Sequence, residues 1–166
     1  MAVRALLRDE VSEYKAIRLR ALSIDPEAFC STHERESGFD ETTWKGRLTS
    51  FDGRPGTVFV EENDGELLAM LGVGCTPIHG QATIWGMWVD PVARRRGSAR
   101  RLLDAAFDWC SRQGLTSLTL EVLPQSSAAI ALYRSVGFTE SRSTDGDADG
   151  IPMSAPVIRG AENHHT

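Results

Sequence analysis

Five arginines fall within eight positions of one stretch, "RRRGSARR" at residues 94–101, in a chain whose formal net charge is −5. The stretch follows an apolar run ending "MWVDP" and precedes an amphipathic segment, so it sits at a strand-to-helix turn. Such a turn exposes unpaired backbone N–H groups at the helix start, where the helix dipole favours an anion. Gly97 allows close backbone approach to a ligand, and the small Ser98 and Ala99 keep the approach open. Arg94, Arg95, Arg96 and Arg100 can add charge-assisted bonds to phosphate oxygens, while Arg101 is expected on the outer helix face. A charge run alone is equally a solvated turn; the glycine and small residues at the helix start shift the reading toward phosphate. The spacing is neither GxxxxGK[ST] nor GxGxxG, which argues against a P-loop nucleotidase and a dinucleotide fingerprint.

The rest of the chain narrows the anion. Of the 18 basic residues only Lys15 and Lys45 are lysine, and the 23 acidic residues leave no general basic surplus. Five arginines at one turn make a point site and not a stripe, so neither nucleic acid nor a membrane surface is an expected partner. The 166 residues suit one domain, and 41% hydrophobic residues suffice for one sizeable core. Cys30, Cys75 and Cys110 are odd in number and widely spaced, which reads as buried free thiols in a reducing compartment. No metal site is legible. There is no signal-peptide pattern and no apolar run of bilayer length, so a cytoplasmic protein is expected.

Hydrophobic periodicity supplies the elements that must position the turn. "AVRALL" (2–7) reads as a strand, and Asp9 to about Ser23 as a helix with Asp9 as N-cap and Asp25-Pro26 as its stop. Residues 26–54 are polar and irregular, with a short helix over 41–48. "TVFVEE", "ELLAMLGVGC" and "QATIWGMWVD" form an antiparallel meander joined by turns at "NDG" and "HG". Residues 98–112 are helical, "TSLTLEV" (116–122) is a strand, and 126–136 is a helix stopped by Gly137. "FTESRS" and "IPMSAPV" are two late strands around "TDGDADG". The strand–helix–strand unit over 81–122 requires a parallel pair. The fold class is therefore mixed α/β: one domain over 1–160, a mostly antiparallel sheet flanked by helices, and one parallel junction where a ligand crevice can open. Residues 161–166 read as a disordered tail.

Two motifs carry a family resemblance. "VDPVARRRGSARRLL" resembles the acyl-CoA-binding segment of the GCN5-related N-acetyltransferases, an Arg or Gln, two residues, Gly, one residue, then Gly or Ala, met here by Arg94, Gly97 and Ala99. The usual glycine after the first arginine is Arg95 here. "LEVLPQSSAAIALYRSVGF" resembles the family's later segment, matching at Ala129, Ile130, Leu132, Tyr133, Gly137 and Phe138, with Ser126 where Asn is common. The resemblance is firm over about 57–140 and loose over 1–56. It implies an acyl-CoA N-acyltransferase fold, acetyl-CoA as co-substrate without a metal, and acetyl transfer to a primary amine of a small molecule. By resemblance, the anion is the pyrophosphate of coenzyme A, held by the N–H groups of 95–100 with arginine support. The pantetheine arm would run along Met87, Trp88 and Val89, with Ser126 either bonding to it or capping its own helix.

The resemblance also implies the acid and base. Tyr133 matches the family's general acid, the donor for a departing thiolate; its alternative is a core aromatic. The strand over 82–89 has no carboxylate where many relatives place one, and Glu121 in "LTLEV" is the replacement base; its alternative is a structural pairing. Trp85 and Trp88, three apart on a strand, are expected on opposite faces, both as packing. His33 and His79 read as surface, and His164 and His165 fall in the tail. Glu34, Glu36, Asp40 and Glu41, with Asp145, Asp147 and Asp149, would favour a cationic amine if they ring the mouth, or are solvated surface. The other readings are a protein N-terminal or lysine acetyltransferase and a non-catalytic acyl-CoA-binding sensor, the latter motivated by the missing carboxylate. The family also allows a homodimer.

Overall fold

A computed structural model of the chain describes residues 2–141 and 150–158. Asp145, Asp147, Asp149, His164 and His165 lie outside the described residues. The elements are β1 (Ala2–Ala5), α1 (Val11–Ile24), α2 (His33–Ser37), α3 (Glu41–Thr49), β2 (Ser50–Phe51), β3 (Arg54–Asn63), β4 (Glu66–Cys75), β5 (Gln81–Val89), α4 (Ser98–Arg112), β6 (Ser117–Val122), α5 (Ser127–Ser135), β7 (Thr139–Glu140) and β8 (Ile151–Pro156).

One sheet runs β1-β3-β4-β5-β6-β8-β7, with the short β2 paired to β3. Every pairing is antiparallel except β5 with β6. The expected mixed α/β architecture is therefore observed. The meander forms because its turns suit its strands: Asp64 (φ +51°) and Gly65 (φ +80°) give the left-handed two-residue turn that matches strand twist.

The sheet carries a core on each face. On one, Leu102, Leu103, Ala106 and Cys110 of α4 pack with Leu71, Val73, Leu118 and Phe138, and α5 adds Ala129, Ile130 and Leu132. On the other, Val11, Tyr14, Ile17 and Ala21 of α1 pack with Trp44 and Leu48 of α3 against Val58, Val60 and Met70. Among the described residues no helix is long and apolar enough to cross a membrane.

Several local readings are corrected. Glu10, not Asp9, precedes α1, and no side chain caps that helix; the Glu10 carboxylate instead accepts from Leu7 N–H and Arg4. Residues 26–54 hold more structure than their polarity indicated: α2 is capped by Thr32, and Asp52-Gly53 (φ +50° and +78°) turns β2 back onto β3. The strand at "FTESRS" is only the two-residue β7 among described residues. Of the three thiols only Cys110 is buried; Cys75 is half-buried and Cys30 exposed.

Trp85 and Trp88 share a face instead of opposing one another. Met70 pairs with Trp88 and Gly72 with Trp85, so two steps along β4 meet three along β5. The extra residue is a bulge at Gly86 (φ +62°), which shifts the alternation by one. Both indoles then join the α1/α3 core, while Ile84, Met87 and Val89 face the other. Gly72 makes room for Trp85: a side-chain carbon there would fall 2.2 Å from the indole ring.

Candidate active site

The site is an opening in the sheet. β5 and β6 pair in parallel over only three steps, Gln81–Ser117 to Thr83–Thr119. Beyond Thr83 the bulge turns β5 toward β4, and β6 continues alongside β8. The strands splay, and the gap widens into a cleft of about 810 Å³. Ile84, Gly86 and Met87 line one wall, Leu120, Glu121 and Val122 the other, and Ser126, Ala129 and Tyr133 of the α5 region close one side. The α1 side and the 28–31 and 50–52 segments close the opposite side.

Met87, Glu121, Ser126 and Tyr133, four of the expected site residues, thus meet in one cleft. The Tyr133 hydroxyl donates weakly to the Met87 sulfur at 3.6 Å, and its ring meets Phe138 edge-on. The residue is 8% exposed, and burial pushes its phenol up to about 12. It is therefore protonated across the neutral range. Glu121 is exposed on the facing wall, with Gly150 packed beside its Cβ. Ser126 sits at the α5 N-terminus but makes no side-chain cap, so the capping account is not borne out.

At the end of β5 lies the arginine turn. Arg95 (φ +65°) and Gly97 (φ +81°) are both left-handed, backbone of a kind that turns successive N–H groups to one side. α4 starts at Ser98 with no side chain capping it. Arg95, Arg96 and Arg100 are exposed, and Ala99 is half-buried. The other two arginines, while part-exposed, bond to carboxylates of the fold. Arg94 donates from Nε to Val89 O (3.0 Å) and from Nη2 to Asp25 Oδ2 (2.7 Å). The Trp88 indole N–H donates to the same Asp25 oxygen at 2.7 Å. Arg94 and Trp88 thereby brace the turn against the end of α1, with 46% of the Arg94 side chain still exposed.

Arg101 is not on the outer face. It grips the fully buried Glu61 of β3, with Nε 2.6 Å from Oε2 and Nη2 3.0 Å from Oε1. Ser98 Oγ donates to Glu61 Oε1 at 2.5 Å, which takes this expected ligand residue's hydroxyl out of reach of a bound anion. Arg101 outweighs burial and, with Ser98, holds the Glu61 carboxyl below its usual range. Glu61 anchors the first turn of α4, and its signal was in the sequence: it shares a strand face with Phe59, where an apolar residue would ordinarily stand.

Among the described residues the expected acidic mouth does not form: none of Glu34, Glu36, Asp40 and Glu41 lines the cleft. Glu34, Asp40 and Glu41 are exposed, and Asp40 caps α3 through Thr43 N–H. Glu36 is fully buried. Arg18 donates to it from Nε (2.9 Å) and Nη2 (3.0 Å), and Arg47 from Nη1 (2.7 Å). Burial pushes the Glu36 carboxyl up, but the bonds and charges of Arg18 and Arg47 prevail and hold it at about 2. Arg18, Arg35 and Arg47 all line the cleft, with Phe29, Phe51 and Trp85 between them. Sequence reasoning missed this wall. Its signal was Arg18 itself, on the apolar stripe of Val11, Tyr14 and Ala21, at i, i+3, i+7 and i+10.

Comparison with known proteins agrees with this architecture. The bS18-alanine N-acetyltransferase of Escherichia coli K12 is 39% identical over 84 residues, which cover 46% of this chain and 57% of that protein. A mycothiol acetyltransferase of Kocuria rhizophila is 27% identical over 78% of this chain and 48% of its own length. The chain thus spans about half the length of these curated relatives. Among solved structures, the E. coli ribosomal-protein-S18-alanine N-acetyltransferase superposes with a TM-score of 0.66 at 26% identity, covering 99% of both chains. A GNAT-family acetyltransferase of Staphylococcus aureus Mu50 has the same fold, with a TM-score of 0.75 at 15% identity over 95% of this chain and 99% of that one. The profile of the Acetyltransferase (GNAT) family matches residues 18–138, which hold the splayed strands, the arginine turn and Tyr133. Most of the chain is thereby accounted for, and it belongs to the GCN5-related N-acetyltransferase family.

Proposed function

We propose that the chain is an N-acetyltransferase that moves an acetyl group from acetyl-CoA to the primary amine of a small molecule, both bound together. One observation carries the reading: a single cleft, opened where β5 leaves β6, brings together a protonated buried phenol and an exposed carboxylate, and the arginine turn follows the end of β5.

The residues present fit coenzyme A. The turn is open, Gly97 presents no side chain, and the first N–H groups of α4 lack a capping side chain. The N–H groups of 95–100, with the exposed Arg95, Arg96 and Arg100, would hold the pyrophosphate. The backbone edge of Met87–Val89 offers amide groups to the pantetheine, as an added strand would find. Ser126 adds a hydroxyl nearby. Bound acetyl-CoA supplies the acetyl thioester.

The chain's own part is positioning and proton transfer. A lysine-like amine has a pKa of ~10.4 and arrives as ammonium. Glu121 takes one proton, directly or through water, before the nitrogen–carbon bond forms. As the carbon–sulfur bond breaks, Tyr133 gives its proton to the departing sulfur, and the second proton of the nitrogen passes, directly or through water, to the Tyr133 oxygen and restores the phenol. The position of the phenol in the cleft, beside Met87, supports this assignment.

A second reading, acetylation of a protein N-terminus, is favoured by the similarity to enzymes named for the alanine of bS18. The mycothiol acetyltransferases, whose match extends over 78% of this chain, favour the small molecule. A cytoplasmic location belongs to the same reading. Thiol release from acetyl-CoA, measured across amines, polyamines, amino acids and peptides, tests it. Transfer to small amines is expected. Transfer confined to peptides overturns the acceptor class, and acetyl-CoA binding without transfer to any amine makes the protein a sensor.

A further inference from the structure

The acceptor side of the cleft is arginine-lined, and one of its guanidiniums is incompletely used. Arg18 is 6% exposed. Its Nε and Nη2 bond to Glu36, which takes one edge of the planar fork. Its Nη1, carrying two N–H groups, is buried with no hydrogen-bond partner among the described residues. A charged donor left this way is costly unless an acceptor arrives.

The orphan nitrogen lies where the chemistry would be. A side-chain carbon at Gly86 would fall 2.9 Å from Arg18 Nη1, so the guanidinium rests against the bulge at which β5 leaves β6. Phe29 covers the guanidinium at 4.7 Å and helps hold it in place. Arg47 shares Glu36, leaving that triad one positive charge in excess, and the exposed Arg35 adds another. The two acidic residues in the described lining lie elsewhere. Asp52 is a rim residue with 82% of its side chain exposed, 3.6 Å from Arg54. Glu121 is on β6, which forms the wall opposite β5. Among the described residues the cleft is thus dipolar, with guanidinium on one side and the Glu121 carboxylate on the other.

We propose that the acceptor is a small zwitterion, an amino acid or a close analogue, whose carboxylate is bound by Arg18 Nη1 while its amine faces Glu121. The inference rests on the acetyltransferase reading above and names the class of its acceptor. A guanidinium edge suits a carboxylate, and pairing it inside a buried wall would orient the amine.

The test uses the full chain and matched acceptors: aliphatic and aromatic amino acids, their carboxamides, and the amines lacking the carboxyl group. The wild type should prefer the acids by roughly 10–100-fold in kcat/KM, the range of a charge-assisted bond to a buried partner. Calorimetry on enzyme saturated with coenzyme A should show the N-acetyl amino acid binding more tightly than its amide by a similar factor. Arg18→Lys keeps a cation for Glu36 and removes Nη1; the preference should fall below about 3-fold while acetyl-CoA affinity is unchanged. If that variant does not fold, the neutral pair Arg18→Gln with Glu36→Gln replaces it with the same expectation. Amides or simple amines used as well as acids by the wild type would overturn the inference and leave the acetyltransferase reading standing. So would a preference that survives in either folded variant, or peptides with acidic first residues outrunning free amino acids. No transfer to any amine overturns the acetyltransferase reading and this inference with it.

Discussion

Burial decides what Tyr133 can do. With its phenol at about 12, it holds its proton at any pH at which the protein would work, and its supply of protons does not fail on the alkaline side. Tyr133→Phe keeps the ring and its contact with Phe138, so fold and acetyl-CoA affinity should change little. The kcat should fall by roughly 10²–10⁴-fold, and by the same factor across neutral pH. Glu121→Gln should also lower kcat, but its deficit should shrink as pH approaches the amine's own pKa of ~10.4 for an alkyl amine. Rate profiles of the two variants separate the roles, and an unchanged kcat in Tyr133→Phe with chemistry rate-limiting would make the residue packing only. Both residues were legible because each stands in a motif whose neighbours match. Arg18 was not, because a charge on an amphipathic helix reads as solvated until the facing elements are known. The same holds for Glu36, whose three acidic neighbours Glu34, Asp40 and Glu41 face water.

At the scale of elements, the anion site proposed at the arginine turn rests chiefly on backbone. Two of its five arginines are spent on structure, Arg94 on Asp25 and Arg101 on Glu61. What remains for an anion is the start of α4 and three exposed side chains. Gly97→Glu should therefore abolish acetyl-CoA binding in calorimetry: it puts a negative charge at the helix start and a side chain at φ +81°, which adds about 1–2 kcal/mol of backbone strain. The new carbon would fall 3.0 Å from Arg101 Nη1, the far end of a long side chain that gives by a few tenths of an ångström without leaving Glu61, so the fold should survive. Near-normal affinity in a folded variant would remove the turn from the site. Strands β3 to β6 and helices α4 and α5 were readable because each carries a long, clean period. The weaker signals misled where they depended on a partner far away: α2 has five residues, β2 has two, and the Gly86 bulge shows only against β4.

For the whole molecule, the mixed sheet with helices on both faces followed from element order, whereas the half that faces the acceptor did not. That half is held by the Arg18–Glu36–Arg47 cluster, which ties α1, α2 and α3 together. Glu36 has a folded-state pKa of about 2, below its ordinary 4.5, so its stabilisation is present above about 4.5 and lost as pH falls toward 2. Glu36→Gln should cost about 3–5 kcal/mol in denaturant unfolding at neutral pH, because two guanidiniums lose their counter-charge. The gap between variant and wild type should close on acidification through that window; a gap independent of pH would mean the cluster stabilises by shape alone. The three-step pairing of β5 with β6 has a different consequence. Past Thr83, β5 is an edge strand in the middle of a sheet, half of its backbone groups hydrogen-bonded to β4 and half turned to the cleft. Deuterium should report this as an alternation along one strand: slow uptake at amides directed to β4, fast uptake at those directed to the cleft. Adding coenzyme A should slow the fast set and leave the slow set as it was.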